Sequence, residues 1–167
     1  MLLSVVGGVR EDQRAWRDGL VSAGFSWYDQ SAPRQTRVAH LSLDWRSDPD
    51  PEHEVFLGGE DGLLGYPAHF VAGDRAWRLH LEDRIYGERI LFQTFKMGYS
   101  AIFEAGQARR IGTEDWSPVL ADVGAGLRLG NLRGAYGQVL YFTVFAPLVK
   151  EPGVGSVEFV AGDVISF

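Results

Sequence analysis

A histidine, a serine and a carboxylate follow one another at two-residue spacing, at His40, Ser42 and Asp44. An imidazole beside a hydroxyl, oriented by an acid, is the grouping that activates a serine nucleophile. On a β-strand, however, residues two apart are about 7 Å from each other and their side chains run parallel. We therefore interpret the three as one polar strand face and predict no catalytic site.

Two other groups of residues could bind ligands. His53 and His69 occur among acidic residues but lack the spacing of a metal-ligand set, so no metal site is predicted. The glycines Gly58, Gly59 and Gly62 are not followed by Gly-Lys-Ser/Thr, and no helix is expected there. The cluster is therefore not a phosphate-binding loop, and no cofactor is expected.

The composition limits the class of protein. The chain of 167 residues has 16 basic and 22 acidic side chains, and its net charge of −6 does not suit a nucleic-acid-binding surface. Its 21 glycines and 21 aromatic residues favour β-structure. Cysteine is absent, which excludes disulfides and thiolate metal sites. The length suits one domain, residues 1–167.

Polar and apolar residues alternate along most of the chain. Within 77–85 the odd positions are apolar except Asp83, and the even positions are arginine, histidine or glutamate. A period of two indicates strands whose two faces meet different surroundings. Only 11–19 could form a turn of helix. Eight strands are predicted, at 2–10, 20–28, 38–46, 77–85, 93–104, 120–130, 137–148 and 156–167.

The connections between these strands differ in length from one end of the sheet to the other. The connection at 47–72 is the longest, and those at 105–118 and 149–155 also include long loops. Short turns are predicted at 29–34, 87–89 and 131–136. Short turns at one end and long loops at the other are typical of outer-membrane barrels.

The charged residues share one parity of these strands. They are five acids and five bases: Asp44, Arg46, Arg78, Glu82, Arg84, Lys96, Glu104, Asp122, Arg128 and Glu158. A balanced set suits an ion-paired interior, but a solvated outer face also mixes signs, so parity alone leaves both arrangements open. The near absence of lysine favours the interior, because the planar guanidinium suits enclosed pairing.

We therefore expect apolar side chains outside, in lipid, and the charges in a lumen. Two acids, Asp83 and Asp163, fall on the apolar parity and do not fit this arrangement. A bulge near Gly162 is expected to redirect Asp163.

Several motifs point to a known family. They are LGGEDGLLGYP at 57–67, GDR at 73–75, LHLEDR at 79–84 and DVGAGLR at 122–128. In this order and spacing they resemble the C-terminal half of the BamA/TamA outer-membrane assembly-factor superfamily, the bacterial surface antigen family. The resemblance implies an all-β, transmembrane, antiparallel up-and-down barrel in the bacterial outer membrane. Each chain would supply eight strands, closed alone or paired into a sixteen-strand ring.

In that family an Arg-Gly-aromatic loop tip folds into the lumen and pairs with acids. The matching tip here is Gly62, Leu63, Leu64, Gly65 and Tyr66, with Leu64 at the arginine position. Glu82 and Glu104 match the strand positions that face the tip, so their partners are expected among the arginines of the strands. The predicted lumen network is Arg78, Glu82, Arg84, Glu104, Asp122 and Arg128.

The end of the chain resembles the C-terminal signal by which bacterial barrels are recognised for assembly, at Gly162, Ile165 and Phe167. The resemblance implies insertion or translocation of other outer-membrane proteins through a weak seam between the first and last strands. Two alternatives stay open: a passive membrane barrel acting as anchor or pore, and a soluble, lipocalin-like ligand-binding barrel. The expected partners are the lipid bilayer, client outer-membrane proteins and a second copy in a homodimer.

Overall fold

The computed structural model describes residues 2–12, 15–47, 54–113, 115–133 and 138–165. Eight strands form one antiparallel sheet in chain order, and β4 and β5 form a separate hairpin between β3 and β6. The ten strands are β1 (Leu2–Asp12), β2 (Ala15–Asp29), β3 (Gln35–Ser47), β4 (Val55–Leu57), β5 (Val71–Gly73), β6 (Arg75–Leu91), β7 (Phe95–Arg109), β8 (Leu120–Asn131), β9 (Gln138–Pro147) and β10 (Glu158–Ile165). The all-β prediction is confirmed.

All eight strands predicted from alternation are present, and two local expectations are wrong. The stretch 11–19, considered for a helical turn, contributes to β1 and β2. The turn expected at 87–89 is instead a register irregularity within β6, and the chain turns at 92–94. There Phe92 and Gln93 have φ of 50° and 53°, as a tight hairpin requires. No helix of the described residues is long and apolar enough to cross a bilayer.

The sheet is open within one chain. β1 pairs with β2, β10 pairs with β9, and no pairing joins β1 to β10 among the described residues. Two arrangements were expected, closure of one chain alone and pairing of two copies, and the described residues of the single chain do not show the first. Residues 54–74 fold over one face of the sheet.

We call the face covered by residues 54–74 the inner face and the opposite one the outer face. Five apolar side chains of the loop are buried there: Val55, Leu57, Leu63, Tyr66 and Val71. They pack on small and apolar residues of the strands, Ala76, Ala108 and Leu120. Gly106 makes room for the loop, because a Cβ there would lie 2.9 Å from Leu57 Cδ1. The loop is thus part of the molecule's core.

The two faces of the sheet have opposite chemistry. The inner face buries charged residues, which are only 0–7% exposed: Glu82, Glu104, Asp122 and Arg128. The outer face exposes large apolar residues, which are 39–55% exposed: Leu43, Leu81, Tyr99 and Phe142. The expected parity is therefore present, with the charges enclosed and the apolar side chains outside.

The two acids of the outer face are paired with glutamines. Gln35 Nε2 donates to both oxygens of Asp83 at 2.8 Å, and Gln138 Nε2 donates to Asp163 at 2.9 Å. The bulge expected near Gly162 is absent, since the register of β10 against β9 is continuous from Glu158 to Ile165. The amide of Gln138 satisfies Asp163 without any change in strand direction.

An ion pair fixes the end of the loop to the sheet, and it gives a pH-dependent prediction. Arg109 Nε donates to Asp74 Oδ1 at 2.9 Å, and this bond lowers the pKa of the Asp74 carboxyl. A lowered pKa means that the charged form stabilises the fold above the unfolded pKa, and that this stability is lost as the pH falls through the folded pKa.

We expect Asp74→Asn to lower the free energy of unfolding at pH 7 by about 1–2 kcal/mol. The difference from wild type should shrink below about pH 4, where unfolded aspartate is protonated. Urea unfolding at several pH values measures it, with Asp115→Asn at an exposed loop position as the control. A difference that stays constant with pH would contradict this assignment.

Candidate functional site

Two acids from neighbouring strands hold the tip of the loop. The Leu64 N–H donates to Glu104 Oε2 at 2.7 Å, and the Gly65 N–H donates to Asp122 Oδ2 at 3.0 Å. Glu104 on β7 and Asp122 on β8 are directly opposite each other in the sheet. Two consecutive backbone amides thus bind the acids where the family resemblance implies an arginine. We call these two bonds the amide latch.

Glycines let the loop make the tight turns that aim the amides at the sheet. Gly58 and Gly62 have φ of 117° and 91°, in the region that L side chains rarely adopt. A Cβ at Gly58 would lie 2.3 Å from the carbonyl oxygen of Pro67. The Gly58 N–H donates to the Gly62 carbonyl at 2.9 Å, which closes the base of the turn. The glycine cluster therefore has a structural role.

Tyr66 anchors the other side of the tip. Its ring is 1% exposed, and its hydroxyl lies 2.9 Å from the Ala121 carbonyl oxygen on β8 and 3.0 Å from that of Val149. Burial raises the pKa of the Tyr66 phenol, which keeps the hydroxyl protonated. One side chain of the loop thereby connects β8 to the segment between β9 and β10.

Removing this hydroxyl should weaken the anchor. Tyr66→Phe leaves the ring in place but deprives partly buried backbone groups of Ala121 and Val149 of a partner, so we expect a loss of about 1–2 kcal/mol in the free energy of unfolding. Chemical unfolding followed by tryptophan fluorescence measures the change. Tyr99→Phe, at an exposed outer position, is the matched control. Equal stability of the two variants would show that the hydroxyl does not hold the loop.

A charged network lies beside the amide latch. Glu82 accepts hydrogen bonds from Arg84 Nη2 at 2.6 Å and from Arg128 Nη1 at 2.5 Å. His80 Nδ1 lies 2.8 Å from Glu104 Oε1, and His80 Nε2 lies 3.7 Å from Glu82 Oε2. The imidazole thus bridges the two glutamates. Glu82 thus has two cationic partners, as a buried ion requires. The Nε atoms of Arg84 and Arg128 are buried without a hydrogen-bond partner among the described residues.

The partners expected for the glutamates are found in part. Glu82 pairs with two of the three expected arginines, but the side-chain partner of Glu104 is His80 rather than an arginine. The third arginine, Arg78, pairs with Asp44 and donates to the Phe56 carbonyl of the loop at 2.9 Å. Sequence reasoning missed His80, because an imidazole on the polar parity carried no signal of charge.

The polar residues considered for catalysis do not assemble with one another. His40 Nδ1 lies 2.8 Å from Ser26 Oγ on β2, so the imidazole is bonded to Ser26 and not to Ser42. Asp44 pairs with Arg78 and accepts a hydrogen bond from Ser22 Oγ at 2.5 Å. The three side chains share a face, as expected, but they bond to other residues: Arg78 Nη1 lies 3.4 Å from Ser42 Oγ and also pairs with Asp44.

Across the described ranges no three His, Cys, Asp or Glu residues are grouped to hold a metal. The His69 ring lies 4.3 Å from the Phe56 ring, and His53 is outside the described residues.

Gly162 and Ile165 lie in β10, while Phe167 is outside the described residues. Gly162 leaves space for the opposing Tyr141, whose hydroxyl a Cβ would meet at 2.6 Å.

Cavities flank the loop on the inner face, and two of them lie on opposite sides of it. One, of about 370 Å³, lies towards β3 and β6 and is lined in part by His40, Ser42 and Arg78. The other, of about 490 Å³, lies between the loop and the inner side of β10 at Glu158 and Val160. The loop therefore covers the middle of the inner face and leaves space at both sides.

Comparisons with known proteins add no assignment. No family model, no curated protein and no solved structure matches this chain. The function must therefore be inferred from the chemistry of the two faces, the open edges and the latched loop.

Proposed function

We propose that this chain forms half of an outer-membrane β-barrel related to the BamA/TamA superfamily, with its outer face in lipid and the loop tip in a polar lumen. One observation carries the proposal: charges are buried on the inner face while leucine, tyrosine and phenylalanine side chains are exposed on the outer face. Soluble monomers rarely expose such continuous apolar surface. In a bilayer the same surface contacts acyl chains.

The outer face of β6 has the dimensions of a membrane-spanning strand. Between Arg75 and Asp83 the outward positions are apolar: Trp77, Leu79 and Leu81. Apolar bands of such barrels are about 25 Å tall and are flanked by aromatic residues. Trp45 is paired with Arg75 at one end of this stretch, and Tyr99 is paired with Ile85 at the other. Both aromatic side chains are exposed, which suits interfacial positions.

The free first edge supports a role in insertion or translocation of other outer-membrane proteins. β1 exposes apolar side chains on both faces, 61–68% exposed: Leu2, Leu3, Val5 and Val6. A long apolar edge strand presents unpaired N–H and C=O groups that template an incoming strand. In this proposal β1 offers that template when a weak seam at this strand opens, while the amide latch keeps the loop in the lumen.

A passive membrane barrel is the second candidate. The contacts of the loop favour this candidate. Two backbone amides and the Tyr66 hydroxyl hold the loop in place as a plug, although Leu64 stands where the BamA/TamA family has an arginine. This candidate shares the membrane placement and differs only in lacking activity on clients. A soluble lipocalin-like barrel would need the apolar side chains inside, so we do not propose it.

Two measurements test the proposal in sequence. The purified chain should require detergent, float with phospholipid vesicles and migrate differently on gels before and after heating. A monodisperse protein without detergent would contradict both membrane candidates. In vesicles that contain the chain, an unfolded eight-stranded outer-membrane protein should then fold faster than in empty vesicles. An unchanged folding rate with normal membrane insertion would favour the passive candidate.

A further inference from the structure

The two edges of one chain are not paired with each other among the described residues, and a latched loop lies on the inner face of the sheet. An eight-stranded barrel has an interior just wide enough for its own side chains or for one small ligand. Here the loop already places five buried apolar side chains on the inner face, and its tip is bonded to β7 and β8. A barrel of eight strands would have to enclose this loop in addition to the inner side chains of its own strands.

An open sheet is nevertheless unacceptable in a bilayer. Each unpaired backbone N–H and C=O group in hydrocarbon carries a large free-energy cost, so both edges must be paired. The edges in question are β1 (Leu2–Asp12) and β10 (Glu158–Ile165). If the outer face contacts lipid, something must therefore cover both strands.

The geometry points to a second copy of this chain as the cover: we propose that two copies join β1 to β10 at two seams and form one two-fold ring. This inference rests on the proposed membrane placement and adds the partner. A ring of two copies encloses a lumen wide enough for two loops, because barrel diameter grows with strand number.

The edges are complementary in direction and in chemistry. Neighbouring strands are antiparallel in an even-numbered sheet, so β1 runs opposite to β10, and a copy in the same membrane orientation presents β10 antiparallel to β1. Leu3 and Val5 lie on the outer face of β1, as do the β2 residues that pair with them. Phe159 and Ala161 lie on the outer face of β10. The apolar outer surface would therefore continue across each seam.

Symmetry completes both seams with one type of contact. In a closed two-fold ring each copy uses β1 against its neighbour and β10 against the same neighbour, so no edge remains. The cavity of about 490 Å³ between the loop and β10 leaves the inner side of that strand uncovered by its own loop. The β10 edge is thus accessible from both sides for pairing.

Cysteine cross-linking tests the pairing directly, because the chain has no cysteine of its own. Val5→Cys and Ala161→Cys place one thiol on each edge, both facing outward. In detergent or vesicles, oxidation of the double variant, or of a mixture of the two single variants, should give a covalent dimer of twice 18.5 kDa. Phe159→Cys in place of Ala161→Cys allows for a shifted register. Leu43→Cys with Ala161→Cys, with one thiol in mid-sheet, is the control and should not cross-link.

The mass of the unmodified protein in detergent decides the matter if no register cross-links. Two copies per particle support the pairing. One copy, more than two copies, or a disulfide within a single chain would overturn it. Where heat-modifiable migration and vesicle binding persist with one copy per particle, the pairing fails and the membrane placement stands. A detergent-free, monodisperse protein would remove both.

Discussion

Leu79→Arg is expected to lower the yield of membrane insertion strongly. Leu79 lies midway between Arg75 and Asp83 on the outer face of β6, between Leu41 and Ala105 of the neighbouring strands. An arginine near the bilayer midplane costs about 2–4 kcal/mol on the lipid face of a barrel. That is a large part of the stability of an ordinary domain. Folding into vesicles, followed by heat-modifiable migration, measures the folded fraction.

Two controls separate lipid contact from a general effect of the new charge. Leu148→Arg makes the same change at an exposed position outside the strands and should fold as wild type does. Arg78→Leu removes an inner-face charge and should weaken pairing with Asp44 while leaving insertion intact. Equal tolerance of all three changes would contradict the assignment of the faces.

Gly65→Ala is expected to release the loop tip from the sheet. An added Cβ would lie 2.8 Å from Asp122 Cβ and 3.0 Å from its Oδ2. The backbone must therefore move, and the hydrogen bond from the N–H of residue 65 to Asp122 is lost. Asp122 is fully buried, and a buried acceptor without its donor costs about 1–3 kcal/mol. The loop should become sensitive to protease, and the free energy of unfolding should fall by a similar amount.

The matched control lies on the same strand as Asp122. Gly130→Ala adds a Cβ whose nearest neighbour is the Lys96 carbonyl oxygen at 3.8 Å, an ordinary contact. It should leave protease resistance and stability near those of wild type. If Gly65→Ala behaves like Gly130→Ala, the amide latch does not hold the loop.

Alternation predicted the strands and their faces because it follows directly from strand geometry. The residues of 77–85 show this most clearly: Glu82 is buried and Leu81 is exposed, as their parity required. Arg84 and Arg128, which pair with Glu82, are two of the three strand arginines expected as partners of the glutamates. The order of residues along a strand is thus enough to indicate which residues share a face.

Features that depend on backbone groups could not be predicted in this way. The latch uses the N–H groups of Leu64 and Gly65, and every residue except proline has such a donor. The β4–β5 hairpin has three residues in each strand, too few for a period of two to emerge. Whether the sheet closes within one chain was also not predictable, because the number of strands does not determine it.

The account depends most on the outer face being in contact with lipid, and site-directed spin labelling tests this directly. Leu81→Cys on the outer face and Ser42→Cys on the inner face would each carry a nitroxide in vesicles. The label at 81 should collide mainly with oxygen dissolved in the bilayer, and the label at 42 with a water-soluble nickel reagent. A label at 81 that the nickel reagent reaches as readily as the label at 42 would contradict the membrane placement.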